Sequence, residues 1–499
     1  MANKNDPTLD EKGHVEPDSA GVLNYHLMHP GSDSLPGDPN AAFCIDGVYH
    51  LHYILKHPFA AKESFSFVHI TSPDMLHWTW QTTKLQPSFT GHGMFSGTGF
   101  ITREGRPAVI YHGQNSGRNQ IALARDKGLS AWDKPYPLEL KNADGTAAEI
   151  QFWDPDCFLI GDTYYAISGG TTPPLMKSKD LENWTLVGDF MSHDLPNAVL
   201  GEDISCANFF NLGTKWMLLC ISHPLGCRYY IGDGNARTEQ FEPQQQGRMN
   251  WRREDQGLYG LFHCTDFFAP ESVLTPDGRR VMWAWCTKLD EPAGAANVQT
   301  LQSLPRELEL PADGILRIKP LRELESLRYN AQKWGPIQIG DVSAHALPHG
   351  GQTRKRVTQL EGEALELRIT LSRMQADRKL FGLVLFADAP DDGLPIVLRP
   401  DTGTLRVGNT EAPFAVADLP AGEDLELRVF IDKYIVEVFA NNRQALFASH
   451  PGYGGKSGLD FFTIGAPTTI SALEIWQLRA TNQGFYEARD NRIWEPLAE

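Results

Sequence analysis

The sequence has no long hydrophobic run. None of its 499 residues lies in a stretch of the ~18 consecutive apolar residues that a membrane-spanning helix requires. The opening stretch MANKNDPTLDEKGHVEPDSAG is polar and lacks the apolar centre of a secretory leader. A soluble, cytoplasmic protein is therefore expected. Basic charge is scarce as well: 45 Lys and Arg stand against 62 Asp and Glu, a formal net charge of −17. That balance argues against nucleic acid or an anionic membrane as partner. The seven cysteines are odd in number and no two have CxxC spacing, which argues against a disulfide framework or a zinc site. The 16 histidines form no HExxH motif, and His50 and His52 alternate with apolar residues along one strand, as packing residues do. No GxGxxG or phosphate-binding loop occurs. Neither a metal nor an organic cofactor is expected.

Turn formers and aromatics, in contrast, are plentiful: 45 Gly, 33 Pro and 10% Phe, Trp and Tyr. These favour a β-rich fold with a stacking-type binding site. A glycine turn followed by an apolar strand recurs as DGVYHLHYI from Asp46, EGRPAVIYHG from Glu104, IGDTYYAISG from Ile160, LGTKWMLLCIS from Leu212 and DGRRVMWAWC from Asp277. Gly47, Gly105, Gly161, Gly213 and Gly278 are 58, 56, 52 and 65 residues apart. A second echo, an Asp shortly before a Trp, runs through Ser72–Trp78, Ala124–Trp132 and Ser178–Trp184. Repeats of this length built from short strands define propeller blades, and five copies predict five blades.

The repeat fades after Cys286. Residues 301–335 carry more charge and read as a connector. From about residue 336 the strands LELRITL, FGLVLFA, LELRVFIDKYIVEVFA and ISALEIWQL alternate with period two, which predicts a separate antiparallel β-sandwich. The expected architecture is all-β: a propeller over 1–300, the connector, and a sandwich over 336–499. The sandwich is expected to cover the propeller flank and is a candidate surface for a homodimer.

The first strands of propeller blades converge at the axis, so acids beside them can meet there. Asp38 in GDPN, Asp154 in FWDP, Glu202 and Asp203 in GEDIS, and Asp266 in CTDFF all hold this position. Aromatics flank them, among them Phe43, Phe152, Trp153, Phe209, Phe267 and Phe268. Carboxylates beside aromatic platforms suit a sugar, whose apolar faces stack and whose hydroxyls need acceptors.

These motifs, in this order, resemble glycoside hydrolase family 32, which contains invertases, levanases, inulinases and fructosyltransferases. GDPN resembles its Asn-Asp-Pro-Asn region, HITSPDMLHW its Ser-x-Asp-Leu-x-x-Trp segment, and FSGT its Phe-Ser-Gly motif. FWDP resembles its Arg-Asp-Pro motif, DFFAPESV its Asp-Phe-Tyr-Ala-Pro stretch, and LPRELEL its Pro-Arg-Glu-Leu connector. The resemblance implies a five-bladed propeller followed by a β-sandwich, and retaining hydrolysis of β-fructofuranosides. It would make Asp38 the nucleophile, Asp154 the transition-state stabiliser and Glu202 the acid/base, with Asp203 as the alternative. Asn40, Phe67, Phe95, Ser96, Trp153, Asp266 and Trp285 would contact the sugar.

This sequence departs from the pattern at several points. Gly37 stands for the Asn before the nucleophile, Ala41 for a Gly, Ile54 for a Gln, Phe67 for a Trp, and Trp153 for the Arg before the middle Asp. An ungapped alignment of SCANFF puts Ser205 at the acid/base position, and Glu202 lies three residues earlier. The implied activity is release of terminal fructosyl units from sucrose, fructo-oligosaccharides or fructan. The alternatives are fructosyl transfer to a sugar hydroxyl and carbohydrate binding without catalysis.

Overall fold

The computed structural model describes residues 21–56, 65–198, 200–250, 267–286, 301–341, 351–389, 392–450 and 454–496. Asp266 lies outside the described residues, as does Cys264. The chain forms five sheets in sequence, over 35–85, 94–137, 139–189, 205–248 and 267–320, each built mainly from antiparallel hairpins. The first long strand of each sheet is innermost: Leu35–Ile45, Met94–Ile101, Pro155–Ile160, Ser205–Leu212 and Phe267–Leu274. These five touch one another in order, and the fifth touches the first, closing a propeller.

The repeat in the sequence has a direct physical basis. Gly47, Gly105, Gly161, Gly213 and Gly278 all sit in the hairpin leaving an inner strand, with φ between 63° and 84°. Only glycine adopts that conformation without strain. The Asp-to-Trp echo is a second turn. Asp74, Asp126 and Asp180 each accept two backbone N–H groups from residues two to five positions on. Trp132 and Trp184 then close their turns by donating to Leu129 O and Leu181 O.

The fifth sheet corrects one boundary. Its third and fourth strands are Arg306–Glu309 and Arg317–Pro320, within the charged stretch that reads as a connector in the sequence. Two of the charges there form largely buried pairs. Arg306 meets Glu437 at 2.7 Å with both side chains fully buried, and Glu307 meets Arg279 at 2.8 Å. Leu308 and Ile318 fill the core between them.

The remaining chain forms two six-stranded sheets packed as a sandwich. One contains Ala364–Leu371, Leu425–Asp432 and Ile435–Ala440; the other contains Leu380–Leu385, Leu394–Arg399 and Gly458–Ile464. A continuous apolar cluster runs from Trp283 and Leu308 into Leu367, Val429 and Val438. A buried polar seam accompanies it. Asp432 accepts from the backbone N of Asn24 and Tyr25, Glu437 accepts from the backbone N of Leu304, and His26 Nδ1 lies 3.0 Å from Asp432. The C-terminal helix Gln483–Asn491 returns to the first blade, where Thr83 donates to Trp494 O.

Candidate active site

A polar ring around the axis sets the positions of the site residues. In the first four inner strands, the residue two positions after a site residue reaches a neighbouring blade. Asn40 Oδ1 accepts from Gly97 N at 2.8 Å. Thr98 donates to Asp156 Oδ1 at 2.7 Å, and Asp156 Oδ2 accepts from Phe209 N at 2.7 Å. Ser272 donates to Asn208 Oδ1 at 2.8 Å. Side chains two apart share a face of a strand, so the ring aligns Asp38, Ser96, Asp154 and Cys206 one step closer to the mouth of the axis.

These four side chains are linked in one run of contacts. Ser96 Oγ donates to Asp38 Oδ2. Cys206 Sγ lies 3.6 Å from Asp38 Oδ2 and 3.6 Å from Asp154 Oδ2. The two carboxylates are thus held within twice that distance of each other, and both are buried. Burial raises the Asp38 carboxyl above its ordinary range, while Ser96 and Cys206 hold it down. Burial, and then the charge of Asp38, push Asp154 up to about 7. Two like charges this close are divided by their surroundings. The Ser96 hydroxyl goes to Asp38, which makes Asp38 the better stabilised anion of the pair.

Both acids open on a cavity of about 470 Å³. Ile54, Phe65, Phe95, Trp153 and Trp285 supply its apolar wall, and Ser96, His112 and Lys56 its other polar groups. One side is an aromatic belt. Phe65 meets Phe95 with centroids 4.9 Å apart, Phe95 stacks on His112 at 5.9 Å, and His112 meets Trp153 at 5.7 Å. On the other side Phe268 packs edge-on against Trp285 at 6.1 Å. Trp285 Nε1 has no hydrogen-bond partner among the described residues.

Of the residues singled out in the sequence, Asp38, Asp154, Phe95, Ser96, Trp153 and Trp285 line this cavity. Asn40 does not. It stands behind Asp38, donating to Asp38 O at 2.7 Å, and joins the first two blades. Phe67 is fully buried in the core against Tyr111 and His52. Glu202 is also turned away. Its Oε1 is in contact with Arg228 and lies 3.0 Å from Arg248, and its side chain is 3% exposed. Its carboxylate is committed to these two guanidiniums and does not line the cavity. His50 and His52 both stack on His69 in the first blade. Among the described residues no group of three His, Cys, Asp or Glu side chains is arranged to hold a metal ion.

Other residues at the site, among them His112, Phe65 and His223, carry no local motif in the sequence that marks them. His112 and Phe65 line the cavity. His223 sits beyond its rim, edge-on to Phe268 at 5.7 Å.

A five-bladed propeller with paired inner-strand carboxylates beneath an aromatic-walled cavity is the architecture of a carbohydrate-active enzyme. Comparison with known families makes this specific. Residues 29–320 match the glycosyl hydrolases family 32 N-terminal domain, and residues 323–477 match the family 32 C-terminal domain. The chain belongs to glycoside hydrolase family 32 and is a glycosidase. It is 27% identical to raffinose invertase of Escherichia coli over 85% of this chain and 88% of that one. It is also 27% identical to sucrose-6-phosphate hydrolase of Klebsiella pneumoniae, over 88% and 92%. The fold superposes on sucrose-6-phosphate hydrolase from Lactobacillus gasseri with a TM-score of 0.71 at 20% identity, covering 93% of this chain and 94% of that one. It superposes on fructan 1-exohydrolase IIa from Cichorium intybus with a TM-score of 0.71 at 18% identity, covering 93% and 98%. No helix among the described residues is long and apolar enough to cross a membrane.

Proposed function

We propose that this enzyme releases terminal β-fructofuranosyl units from small fructosides such as sucrose and fructo-oligosaccharides, or from fructan, with retention of configuration. The observation that carries the reading is the pair Asp38 and Asp154, joined through Cys206 at the floor of the aromatic-walled cavity. Asp38, the better stabilised anion, attacks the anomeric carbon. Asp154 holds ring hydroxyls and steadies the oxocarbenium-like transition state. Phe95, Trp153 and Trp285 offer faces for stacking. The names of the relatives, an invertase and sucrose-6-phosphate hydrolases, support the substrate class.

Transfer of the fructosyl group to a sugar hydroxyl is the second reading. The 39% exposed Trp153 favours it, because an exposed indole beside the acids can seat an acceptor sugar. One experiment separates the two: incubation with sucrose, inulin-type oligomers and levan, with the sugars resolved by chromatography. Free fructose supports hydrolysis. New oligosaccharides with little free fructose support transfer. No change with any of the three contradicts both readings.

A further inference from the structure

Retaining hydrolysis needs a proton donor for the leaving oxygen, and the position that would supply it holds Ser205. That serine is fully buried, and its hydroxyl donates to Asp203 Oδ2 at 3.1 Å. Asp203 in turn grips His223 twice. Oδ1 accepts from His223 N at 2.9 Å, and Oδ2 lies 2.6 Å from His223 Nδ1. The segment carrying Asp203 is fastened to the third blade: Gly170 and Ile204 exchange backbone hydrogen bonds at 2.8 and 3.0 Å, and Gly169 N donates to Asp154 O at 3.1 Å. Asp203 is therefore fixed beside the strand that presents Asp154.

From Ser205, Asp203 and His223 we infer that the imidazole of His223, oriented by Asp203, is the acid/base of this enzyme, in the role expected of a glutamic acid. The inference rests on the fructosidase reading given above. Nδ1 is engaged by Asp203, which leaves Nε2 to act. Half of the side chain is exposed, at 52%, so both a leaving group and a water can reach it. Its ring packs on Phe268, which packs on the cavity-lining Trp285. Three carboxylates face it: Asp203 by hydrogen bond, and Asp154 and Asp38 by their charge. Together they outweigh its partial burial and raise its pKa, which keeps a proton available near neutrality.

The steps balance. As the Asp38 carboxylate forms a bond to the anomeric carbon, the glycosidic C–O bond breaks and the leaving oxygen takes the Nε2 proton. Neutral His223 then takes a proton from water. The water oxygen bonds to the anomeric carbon, Asp38 departs as a carboxylate, and His223 is again an imidazolium.

The test compares sucrose, whose leaving group needs a proton, with fructosyl fluoride, whose leaving group does not. His223→Gln is expected to lower kcat/KM on sucrose about 10²–10⁴-fold and to leave kcat/KM on fructosyl fluoride within a few-fold of wild type, while kcat on the fluoride falls because hydrolysis of the intermediate has lost its base. Added azide, which needs no base, should restore turnover of the fluoride by that variant and yield fructosyl azide. Asp203→Asn, as a positioning variant, should remain active and move the basic limb of the pH profile to lower pH, because it removes the charge that holds the imidazolium proton. Wild-type rates in His223→Gln on both substrates would overturn the assignment and leave the fructosidase reading standing. The same leaving-group selectivity in Asp154→Asn, with none in His223→Gln, would overturn it in favour of Asp154. A wild-type enzyme that cleaves neither substrate would overturn the fructosidase reading and this assignment together.

Discussion

Cys206 holds its Sγ 3.6 Å from Asp38 Oδ2, in contact with a carboxylate that burial drives toward protonation. The thiol is itself kept protonated by burial and by the charges of Asp38 and Asp154. It therefore serves as a neutral donor, alongside the Ser96 hydroxyl. Ser96→Ala removes the stronger of the two donors and should let the Asp38 pKa rise. The acidic limb of kcat/KM is then expected to move to higher pH, with kcat near neutrality reduced about tenfold. A profile superimposable on wild type would show that Asp38 does not set that limb.

Glu202 should behave as a structural residue. Its carboxylate neutralises Arg228, which is 1% exposed, and Arg248. Glu202→Gln leaves two largely buried guanidiniums without a counter-charge, and breaking such a pair typically costs about 3–5 kcal/mol. Denaturant unfolding should show that loss. The ratio of rates on sucrose and on an activated aryl fructoside should stay at its wild-type value. A selective collapse on sucrose alone would return Glu202 to the chemistry.

The aromatic wall should act on binding more than on chemistry. Trp153 packs against His112 with centroids 5.7 Å apart and leaves a face on the cavity. Trp153→Ala is expected to raise KM about tenfold, near the upper end of what one stacking partner contributes, with kcat changed far less. A fall in kcat at constant KM would mean that the indole acts in the transition state.

The seam between propeller and sandwich should give a pH-dependent stability. Burial alone would lower the His26 pKa, but Asp432 and Glu437 outweigh it and lift it from 6.5 to about 9. A raised pKa stabilises the fold fully below about pH 6.5, and that stabilisation is lost as the pH climbs through about 9. The melting temperature of the wild type should therefore fall between pH 7 and 10 by more than that of His26→Gln. Parallel curves for the two proteins would rule out the pairing as a source of stability.

The blades are legible in the sequence because each carries a glycine at positive φ and the first three also carry an Asp-anchored turn. Asp38 and Asp154 were legible for the same reason, since each directly precedes a proline at an inner strand. The strands over 306–320 were not legible, because their charges find partners such as Glu437 far along the chain. The acid region was opaque for a related reason. Glu202 and Asp203 are neighbours whose side chains part company, one to Arg228 and the other to His223. Cys206 at φ 46° and a register shift between Ser205 and Asn208 set that geometry. Neither a residue count nor a hydropathy pattern reports a bulge.

The central claim is that Asp38 forms a covalent bond to the sugar. The most direct test is to quench the enzyme during turnover of fructosyl fluoride, digest it and map the peptides by mass spectrometry, with His223→Gln included to slow breakdown of the intermediate. The account predicts that the peptide containing Asp38 is heavier by one hexosyl unit, and that Asp38→Ala loses both this adduct and at least about 10⁴-fold in kcat. A hexosyl adduct on Asp154 or another residue, or full turnover by Asp38→Ala, would contradict it.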